Sequence, residues 1–169
     1  MYETDEDMQR LQTLLDESIG QAGLFLRQSF QMPEHSLSAR QLVRLWQGTQ
    51  TVALATVTRR GEPRVAPIGA LLWRGRFYIP TVASAARVGH ISRQPAISFT
   101  HYQENGLAII LHGEAAIIQP DHPDFAALET FQREISGQSV REWGAGVYLS
   151  ITPGVIYTYA RSPERYDKI

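Results

Sequence analysis

The feature that most restricts the fold is a succession of short β-type segments, which begins near residue 49 and continues almost to the end of the chain. The first three, Thr49–Thr58, Arg64–Leu72 and Arg76–Pro80, are rich in valine, isoleucine, threonine and aromatic residues. Glycine-containing stretches at 59–63 and 73–75 separate them and are typical of hairpin turns. The pattern predicts three antiparallel strands in a meander.

Four more β-type segments follow after an interruption. Ala96–Tyr102 and Leu107–Ile118 flank an Asn-Gly dipeptide, which is a strong hairpin signal. Gly146–Thr152 and Val155–Tyr159 flank a Pro-Gly dipeptide and are predicted as two separate strands. Six or seven short strands with inserted helices indicate a small closed antiparallel β-barrel, in a protein that is mainly β with peripheral helices.

A helical segment is predicted ahead of the barrel. From Asp5 to about Phe30, apolar residues recur at three- and four-residue steps, which is the period of an amphipathic helix. Gly20 and Gly23 are expected to bend or split this helix. Ser38 is expected to cap a second, shorter helix.

The chain is predicted to form one structural domain, because no repeat, low-complexity stretch or flexible linker divides its 169 residues. Within it, residues 1–48 are expected to form an N-terminal helical extension packed on the barrel. Residues 49–169 are expected to form the barrel domain itself.

Two further helices are predicted within the β-type region. Ser84–Arg93 has apolar residues at helical spacing, with Ser84 as its start and Pro95 as its stop. His122–Ile135 carries a second apolar stripe, and Pro123 suits its first turn.

Composition excludes several kinds of site. The chain has no cysteine, so disulfides, iron–sulfur clusters, thiolate zinc sites and cysteine nucleophiles are excluded. A formal net charge of −1 provides no overall field that would attract nucleic acid or an anionic membrane, so an anion site must be local. The acidic N-terminus is unlike a signal peptide, and no stretch approaches the ~20 apolar residues of a membrane span. A cytoplasmic location without a nucleic-acid or membrane partner is expected.

The five histidines of the chain do not have the spacing of a metal site. His122 lies between Asp121 and Asp124, but its simplest role is in the start of a helix, so no metal ion is expected. His101 and His112 lie on the two strands beside the Asn-Gly turn and are predicted to face each other across the hairpin.

The order of motifs between Leu42 and Tyr159 resembles that of a known family. Residues 55–68 contain Ala-Thr-Val, a glycine turn and then Pro63, Arg64 and Pro67, and the segment that opens at Ser84 follows with a basic residue. This order resembles the split-barrel FMN-binding family that includes pyridoxamine 5′-phosphate oxidase. The resemblance implies a split barrel that forms a homodimer, with FMN bound in the interface between the two barrels.

The resemblance also implies which residues bind the cofactor. Residues along one strand would contact the isoalloxazine ring: Arg64, Val65, Ala66 and Pro67. Residues after the next strand would hold the phosphate: Thr81, Ser84 and Arg87. A helix that begins at Ser84 would offer free backbone N–H groups to the phosphate, and the Arg87 guanidinium would add a charged fork. Members commonly have the serine and the basic residue two positions apart, whereas here they are three apart, and Arg93 is an alternative phosphate ligand.

Trp143 lies in a glycine-rich approach to a strand. The resemblance implies that this residue could reach over the flavin of the partner subunit. Without the resemblance, an aromatic residue at such a position is more typical of a core or an interface.

The function expected from the sequence is that of an FMN-dependent oxidoreductase, in which flavin N5 exchanges a hydride with an unidentified small substrate. No side chain is assigned as a catalytic acid or base. Pyridoxamine-phosphate oxidase activity itself is not expected, because the C-terminal region lacks the family's Arg-x-His substrate motif. The alternatives are a reductase that uses the deazaflavin F420, a non-enzymatic flavin or haem binding protein, and a barrel that has lost its cofactor.

Overall fold

Six antiparallel strands form a closed barrel in the computed structural model of the protein, which describes residues 2–167. The strands are β1 (Gln50–Val57), β2 (Pro63–Trp73), β3 (Arg76–Val82), β4 (Ala96–Gln103), β5 (Leu107–Ile118) and β6 (Gly146–Ala160). The helices are α1 (Asp5–Gln21), α2 (Leu24–Ser29), α3 (Ala39–Leu45), α4 (Ala86–Ile91) and α5 (Phe125–Ser136). Short 3₁₀ helices occupy Val140–Trp143 and Pro163–Asp167. The predicted fold class, mainly β with peripheral helices, is confirmed.

The order of strands around the barrel is β1-β2-β3-β6-β5-β4, and pairing of β1 with β4 closes it. The first three strands form the predicted meander. The turn between β2 and β3 consists of Arg74 and Gly75, which both have positive φ angles, of 50° and 67°. This is the backbone twist that a two-residue hairpin requires.

The prediction of two strands at the end of the chain is wrong, because residues 146–160 form the single strand β6. Pro153-Gly154 produces a bulge, and the pairing of β6 with β5 shifts register between His112 and Gly113. β6 pairs with β3 only as far as Ile151, so Pro153 lies where one side of the strand has no partner. A proline without an N–H group is tolerated at such a position.

The helical segment ahead of the barrel is divided as the glycines predict. α1 ends at Gln21 and α2 begins at Leu24, directly after Gly23. Ser38 caps α3, since its hydroxyl accepts a hydrogen bond from the Gln41 N–H at 3.3 Å. Among the helices of residues 2–167, none has the length and apolar character that a membrane crossing requires.

Trp46, at the end of α3, packs into the barrel. Its ring lies 4.9 Å from that of Phe77 and 6.2 Å from that of Phe99, measured between centroids. Its indole N–H donates to the backbone oxygen of Ala70 at 3.1 Å. The segment before β1 is therefore joined to the barrel core through a buried aromatic anchor.

The outer surface of the barrel has two faces. One, here called the covered face, packs against α5 and the 3₁₀ helix that follows it. Its buried strand residues are Leu71, Trp73, Tyr78, Ile118 and Tyr148. The residues that cover them are Phe125, Leu128, Phe131 and Val140. This covering layer forms a second apolar core outside the barrel.

The other face, here called the bare face, spans five strands. Two rows of paired residues cross it from β2 to β6. The first row is Val65, Ala55, Ser98, His112 and Val155, and the second is Pro67, Ala53, Thr100, Ile110 and Tyr157. None of these ten residues is buried, and none is an acidic, lysine or arginine residue.

The prediction that His101 faces His112 is wrong. His101 pairs with Ile109 and points into the barrel, where its ring lies 5.2 Å from that of Trp46. His112 pairs with Ser98 on the bare face, and the Ser98 hydroxyl lies 2.6 Å from its Nδ1 atom. Because successive side chains of a strand point to opposite faces, the register of the hairpin separates the two histidines.

Candidate ligand-binding site

Two adjoining grooves bring together most of the predicted site residues. The β2 groove, of about 270 Å³, is lined by Leu54, Thr56, Arg64, Val65, Ala66, Ala86, Arg87 and His90. The α5 groove, of about 350 Å³, is lined by Thr49, Ile68, Gly69, Pro80, Thr81, Val82, Arg87, Gln132, Ser136, Gln138 and Trp143. Arg87 lines both grooves, so it lies where they meet. The predicted residues Pro67 and Ser84 line neither groove.

Arg87 is held in place by β3. Its Nη1 atom donates a hydrogen bond to the Thr81 hydroxyl at 2.9 Å, and Thr81 is buried near the end of the strand. Among residues 2–167 no acidic side chain lines either groove or forms an ion pair with Arg87. The guanidinium therefore presents an uncompensated positive charge, and its remaining N–H groups suit an anionic oxygen.

The predicted role of Ser84 as the start of the helix is wrong. α4 begins at Ala86, its N-cap residue is Ala85, and no side chain caps it. After β3 the chain first forms a turn, in which the Ala85 N–H donates a hydrogen bond to the Val82 oxygen at 3.0 Å. The helix therefore begins two residues after Ser84. Ser84 is exposed on the connecting loop. Serine is the favoured cap and alanine is a poor one, so local preference pointed to the wrong residue.

β2 forms the boundary between the β2 groove and the bare face. Val65, which is 67% exposed, lines the groove and also begins the first row of the bare face. Pro67 is exposed on the bare face. Arg64 is exposed and forms an ion pair with Glu62 at 2.8 Å. A ligand that lay along β2 would therefore contact both the groove and whatever covers the bare face.

Thr56 and His90 also line the β2 groove, and neither was predicted from the sequence as a site residue. Thr56 is buried, and its hydroxyl lies 2.9 Å from His90 Nδ1. His90 follows Arg87 by three residues on α4, so the two side chains lie on one side of the helix. That spacing is the signal that would have indicated His90.

Trp143 borders the α5 groove and is 43% exposed. The 3₁₀ helix that carries it is attached to α5 through Glu129. The Glu129 carboxylate accepts hydrogen bonds from the Ser139 hydroxyl and from Arg141 Nε, the latter at 3.0 Å. The Ser139 hydroxyl and, after it, the Arg141 guanidinium hold the pKa of Glu129 below its usual value.

Comparison with known families identifies the family of the chain. Residues 38–158 match the family model described as pyridoxamine 5′-phosphate oxidase, which is more than half of the chain. The chain belongs to the pyridoxamine 5′-phosphate oxidase family. The matched region of this family member includes the whole of β1 to β5, α4, α5 and the residues that line both grooves. No curated protein sequence matches this chain.

Solved structures share the fold of this pyridoxamine 5′-phosphate oxidase family member. A conserved hypothetical protein of Mycobacterium tuberculosis superposes with a TM-score of 0.63 at 16% identity, over 79% of this chain and 91% of that one. An F420 reductase superposes with a TM-score of 0.54 at 17% identity, over 66% and 92%. The haem storage protein of Vibrio cholerae superposes with a TM-score of 0.55 at 16% identity, over 70% and 90%. At these identities the likeness extends to the fold alone.

A larger cavity of this family member lies away from the two grooves. It has a volume of about 660 Å³ and lies between α1, the start of β3 and the bulge in β6. Its charged lining residues are Glu6, Glu17, Arg10 and Arg76. Arg10 already forms an ion pair with Asp7 and donates to the Arg74 backbone oxygen. Mixed charges do not select an anionic ligand, so we assign the candidate site to the smaller grooves at Arg87.

The histidine-containing stretch at 121–124 does not form a metal site within residues 2–167, where no three acidic or histidine side chains cluster as metal ligands. His122 Nδ1 accepts a hydrogen bond from the Asp124 N–H at 3.1 Å. α5 begins at Phe125, three residues later than the predicted start at His122, since these residues form a turn ahead of the helix.

Proposed function

We propose that this protein binds FMN at the junction of the two grooves and acts as an FMN-dependent oxidoreductase. The proposal rests on the position and charge of Arg87. Thr81 holds this side chain where the grooves meet, and no acidic residue lines either groove within residues 2–167. A phosphate monoester carries up to two negative charges at neutral pH, and arginine binds it through two parallel N–H groups.

The volume of the two grooves suits a small-molecule ligand such as FMN. The two adjoining volumes, about 270 Å³ and about 350 Å³, together fall within the range of small-molecule pockets. In the proposed complex, Arg87 and Thr81 hold the phosphate, and Arg64, Val65, Ala66 and Pro67 lie along the ring. Ser84, on the exposed loop before α4, remains a candidate phosphate contact through its hydroxyl.

When bound, FMN supplies hydride transfer at its N5 atom, and the protein supplies binding and orientation. The anchored Arg87 fixes one end of the cofactor. The strand backbone and the small side chain of Ala66 provide a flat wall for the ring. Trp143 and the partner subunit would close the outer side and exclude water from the substrate, whose identity is not specified by these residues.

We further propose that two copies pair through the bare face, so that each cofactor lies at the interface. A sheet face that is largely apolar and has no covering element is typical of an interaction site. Seven of its ten residues are apolar, and none is an acidic, lysine or arginine residue, so no like charges would oppose each other in an isologous homodimer. Val65 belongs to both the bare face and the β2 groove, which supports a cofactor shared with the partner.

The second candidate cofactor is F420, because one of the structures with this fold is an F420 reductase. F420 has an acidic tail that needs a long basic groove. Arg60 and Arg64 share the single carboxylate of Glu62, at 3.3 Å and 2.8 Å, so the three side chains keep one net positive charge. With Arg59 and Arg87 they are the residues that would line such a groove, and the titration below separates the two cofactors. A flavin or haem carrier without turnover is the non-enzymatic alternative, since a haem storage protein also has this fold.

A titration of the purified protein with FMN and with F420 tests the proposal. We expect FMN to bind and to give a flavin absorbance band near ~450 nm that survives dialysis, since the site orients an unmodified cofactor. Arg87→Ala should weaken FMN binding about tenfold to hundredfold, because one or more charged hydrogen bonds are lost. Arg93, the alternative phosphate ligand, lines neither groove, and its Nη1 atom donates to the Gly89 backbone oxygen at 3.0 Å. Arg93→Ala should therefore leave FMN affinity unchanged, and a loss equal to that of Arg87→Ala would favour Arg93 as the ligand.

The outcomes separate the alternatives. Binding of F420 alone would contradict FMN as the cofactor, and unchanged FMN affinity in Arg87→Ala would contradict the site. Tight FMN binding without reduction by NADH, NADPH or reduced F420 would favour a carrier over an enzyme.

A further inference from the structure

Gln132 is a polar residue at a core position of α5. It is only 2% exposed and follows Phe125 and Leu128 along the helix face that packs on the covered face. Burial of an amide group without hydrogen-bond partners costs free energy, so both ends of this side chain need an explanation. The two ends have different surroundings.

The carbonyl end of Gln132 is occupied by Tyr148. The Tyr148 hydroxyl donates a hydrogen bond to Gln132 Oε1 at 2.6 Å, and the Tyr148 side chain is fully buried. Burial raises the pKa of Tyr148, so the hydroxyl stays protonated and requires an acceptor. Among residues 2–167, Gln132 is the one side chain that accepts this bond. The orientation of the amide is thereby fixed, with Oε1 toward β6.

The amide nitrogen of Gln132 is left for the α5 groove. Within residues 2–167, Nε2 donates to no protein atom, whereas Oε1 is occupied by Tyr148. Within residues 2–167, Ser36 Oγ is the one fully buried side-chain nitrogen or oxygen atom that has no hydrogen-bond partner. Because Gln132 Nε2 also has no partner but is not fully buried, this atom keeps some exposed surface. Gln132 is one of the residues that line the α5 groove, so this groove is the space next to its unpartnered amide nitrogen.

The rest of the groove fits an acceptor. Arg87 is the only charged side chain among the described lining residues, and Thr81 uses its oxygen to accept from Arg87. Ser136 donates its hydroxyl to the Gln132 backbone oxygen at 2.7 Å. The two N–H donors at the buried end of the groove come from different elements, α4 and α5, whereas the exposed Gln138 and Trp143 lie at its outer side. A group that has several acceptor oxygens and no hydrogen to donate, such as a phosphate, fits this arrangement.

We propose that Gln132 is a ligand-binding residue, which donates its amide N–H to an oxygen of the phosphate that Arg87 holds. This inference rests on the proposed function for the identity of the ligand, FMN, but it adds a contact from the helix that covers the barrel. It also assigns a role to the buried Tyr148, which positions the Gln132 amide and does not itself touch the ligand.

The test compares FMN with riboflavin, which lacks the phosphate. Gln132→Met removes the donor at nearly constant volume, and we expect the affinity for FMN to fall about tenfold, the effect of one hydrogen bond to a charged group. The affinity for riboflavin should stay within about twofold, since its contacts are unchanged. Isothermal titration measures both ligands, and circular dichroism checks that the variants are folded.

Two further variants separate a loss of FMN binding from a loss of stability. Gln132→Met alone leaves the Tyr148 hydroxyl without an acceptor, which is destabilising. Tyr148→Phe combined with Gln132→Met removes both partners and should restore the stability, but it should not restore FMN binding. Tyr148→Phe alone keeps the amide and is the matched control, with an expected loss in FMN affinity of about threefold or less because only the orientation of the donor is relaxed.

Each outcome has a distinct meaning. Unchanged FMN affinity in a folded double variant would overturn the role of Gln132. An equal loss for riboflavin and FMN would show that the amide contacts another part of the ligand, which also overturns the proposal. If the wild-type protein does not bind FMN, the proposed function fails and this inference fails with it. If Arg87→Ala loses FMN and the Gln132 variants do not, only the inference about Gln132 fails.

Discussion

The covered face and the bare face belong to the same barrel and differ in what lies over them. The covered face presents large side chains, among them Trp73, Tyr78 and Tyr148, and all are buried by α5 and the 3₁₀ helix that follows. The bare face presents smaller ones such as Ala53 and Ala55, and none of its ten residues is buried. Both faces are uncharged, so strand alternation alone does not tell which element, or which chain, covers a sheet.

The difference also divides the ligand-binding site. Arg87 and Thr81 are positioned by strands and by α4, and Gln132 belongs to the layer that covers one face. Val65 and Pro67 lie at the edge of the other face, which the protomer leaves open. In the proposed homodimer, one wall of the site is thus complete in the protomer and the other is formed on association.

The largest effect is expected when the covering layer is damaged. Leu128, on α5, is fully buried against the covered face, so Leu128→Ala should lower the free energy of unfolding by about 2–5 kcal/mol. Urea denaturation followed by circular dichroism measures the change. Thr130→Ala, on the exposed side of the same helix, is the control and should change the value by less than about 0.5 kcal/mol. A loss below about 1 kcal/mol in Leu128→Ala would show that α5 contributes little to the covered face.

A charge on the bare face should act on association and leave the fold intact. Ile110→Lys places an ammonium group in the middle of the proposed interface, so the dimer dissociation constant should rise at least about a hundredfold. Sedimentation velocity across a concentration series gives this constant. Ala127→Lys, on the exposed side of α5, should leave association unchanged. Unaltered assembly in Ile110→Lys would place the dimer contact elsewhere.

The smallest effect concerns the attachment of the 3₁₀ helix to the covered face, and it depends on pH. The lowered pKa of Glu129 means that its contribution to stability is present above its unfolded-state pKa and is lost as the pH falls through the folded-state value. Glu129→Gln should therefore be less stable than the wild type by about 1 kcal/mol at pH 7. Urea denaturation between pH 7 and about pH 3 should show this difference shrinking toward zero. A difference that is constant over that range would contradict the role of the carboxylate charge.

Much of the barrel is predictable from the sequence, because β1 to β5 have strand-forming composition and recognisable turns. The single strand β6 is not, since Pro153-Gly154 has the composition of a turn and becomes a bulge only because one side of the strand lacks a partner there. The start of α4 at Ala86 depends on the turn after β3, which the sequence of the helix does not reveal.

The site is predictable in part. Family resemblance indicated Thr81 and Arg87, and the structure adds that they are joined by a hydrogen bond and lie where two grooves meet. Gln132 could not be predicted in this way. A single amide in an apolar helical stripe does not indicate a binding role until the structure shows that Tyr148 donates to its Oε1 atom and leaves the nitrogen without a partner. The bare face could not be predicted from the sequence either, because its two rows of residues follow from the pairing register of five strands.

Native mass spectrometry of the purified protein after addition of FMN tests whether two chains hold two FMN molecules at Arg87. We expect a particle of twice the 19.0 kDa chain that carries two FMN molecules, and we expect Arg87→Ala to form the same particle with much less FMN bound. A single chain with FMN bound would contradict the interface, and a particle that retains no FMN, or retains it equally in Arg87→Ala, would contradict the cofactor site.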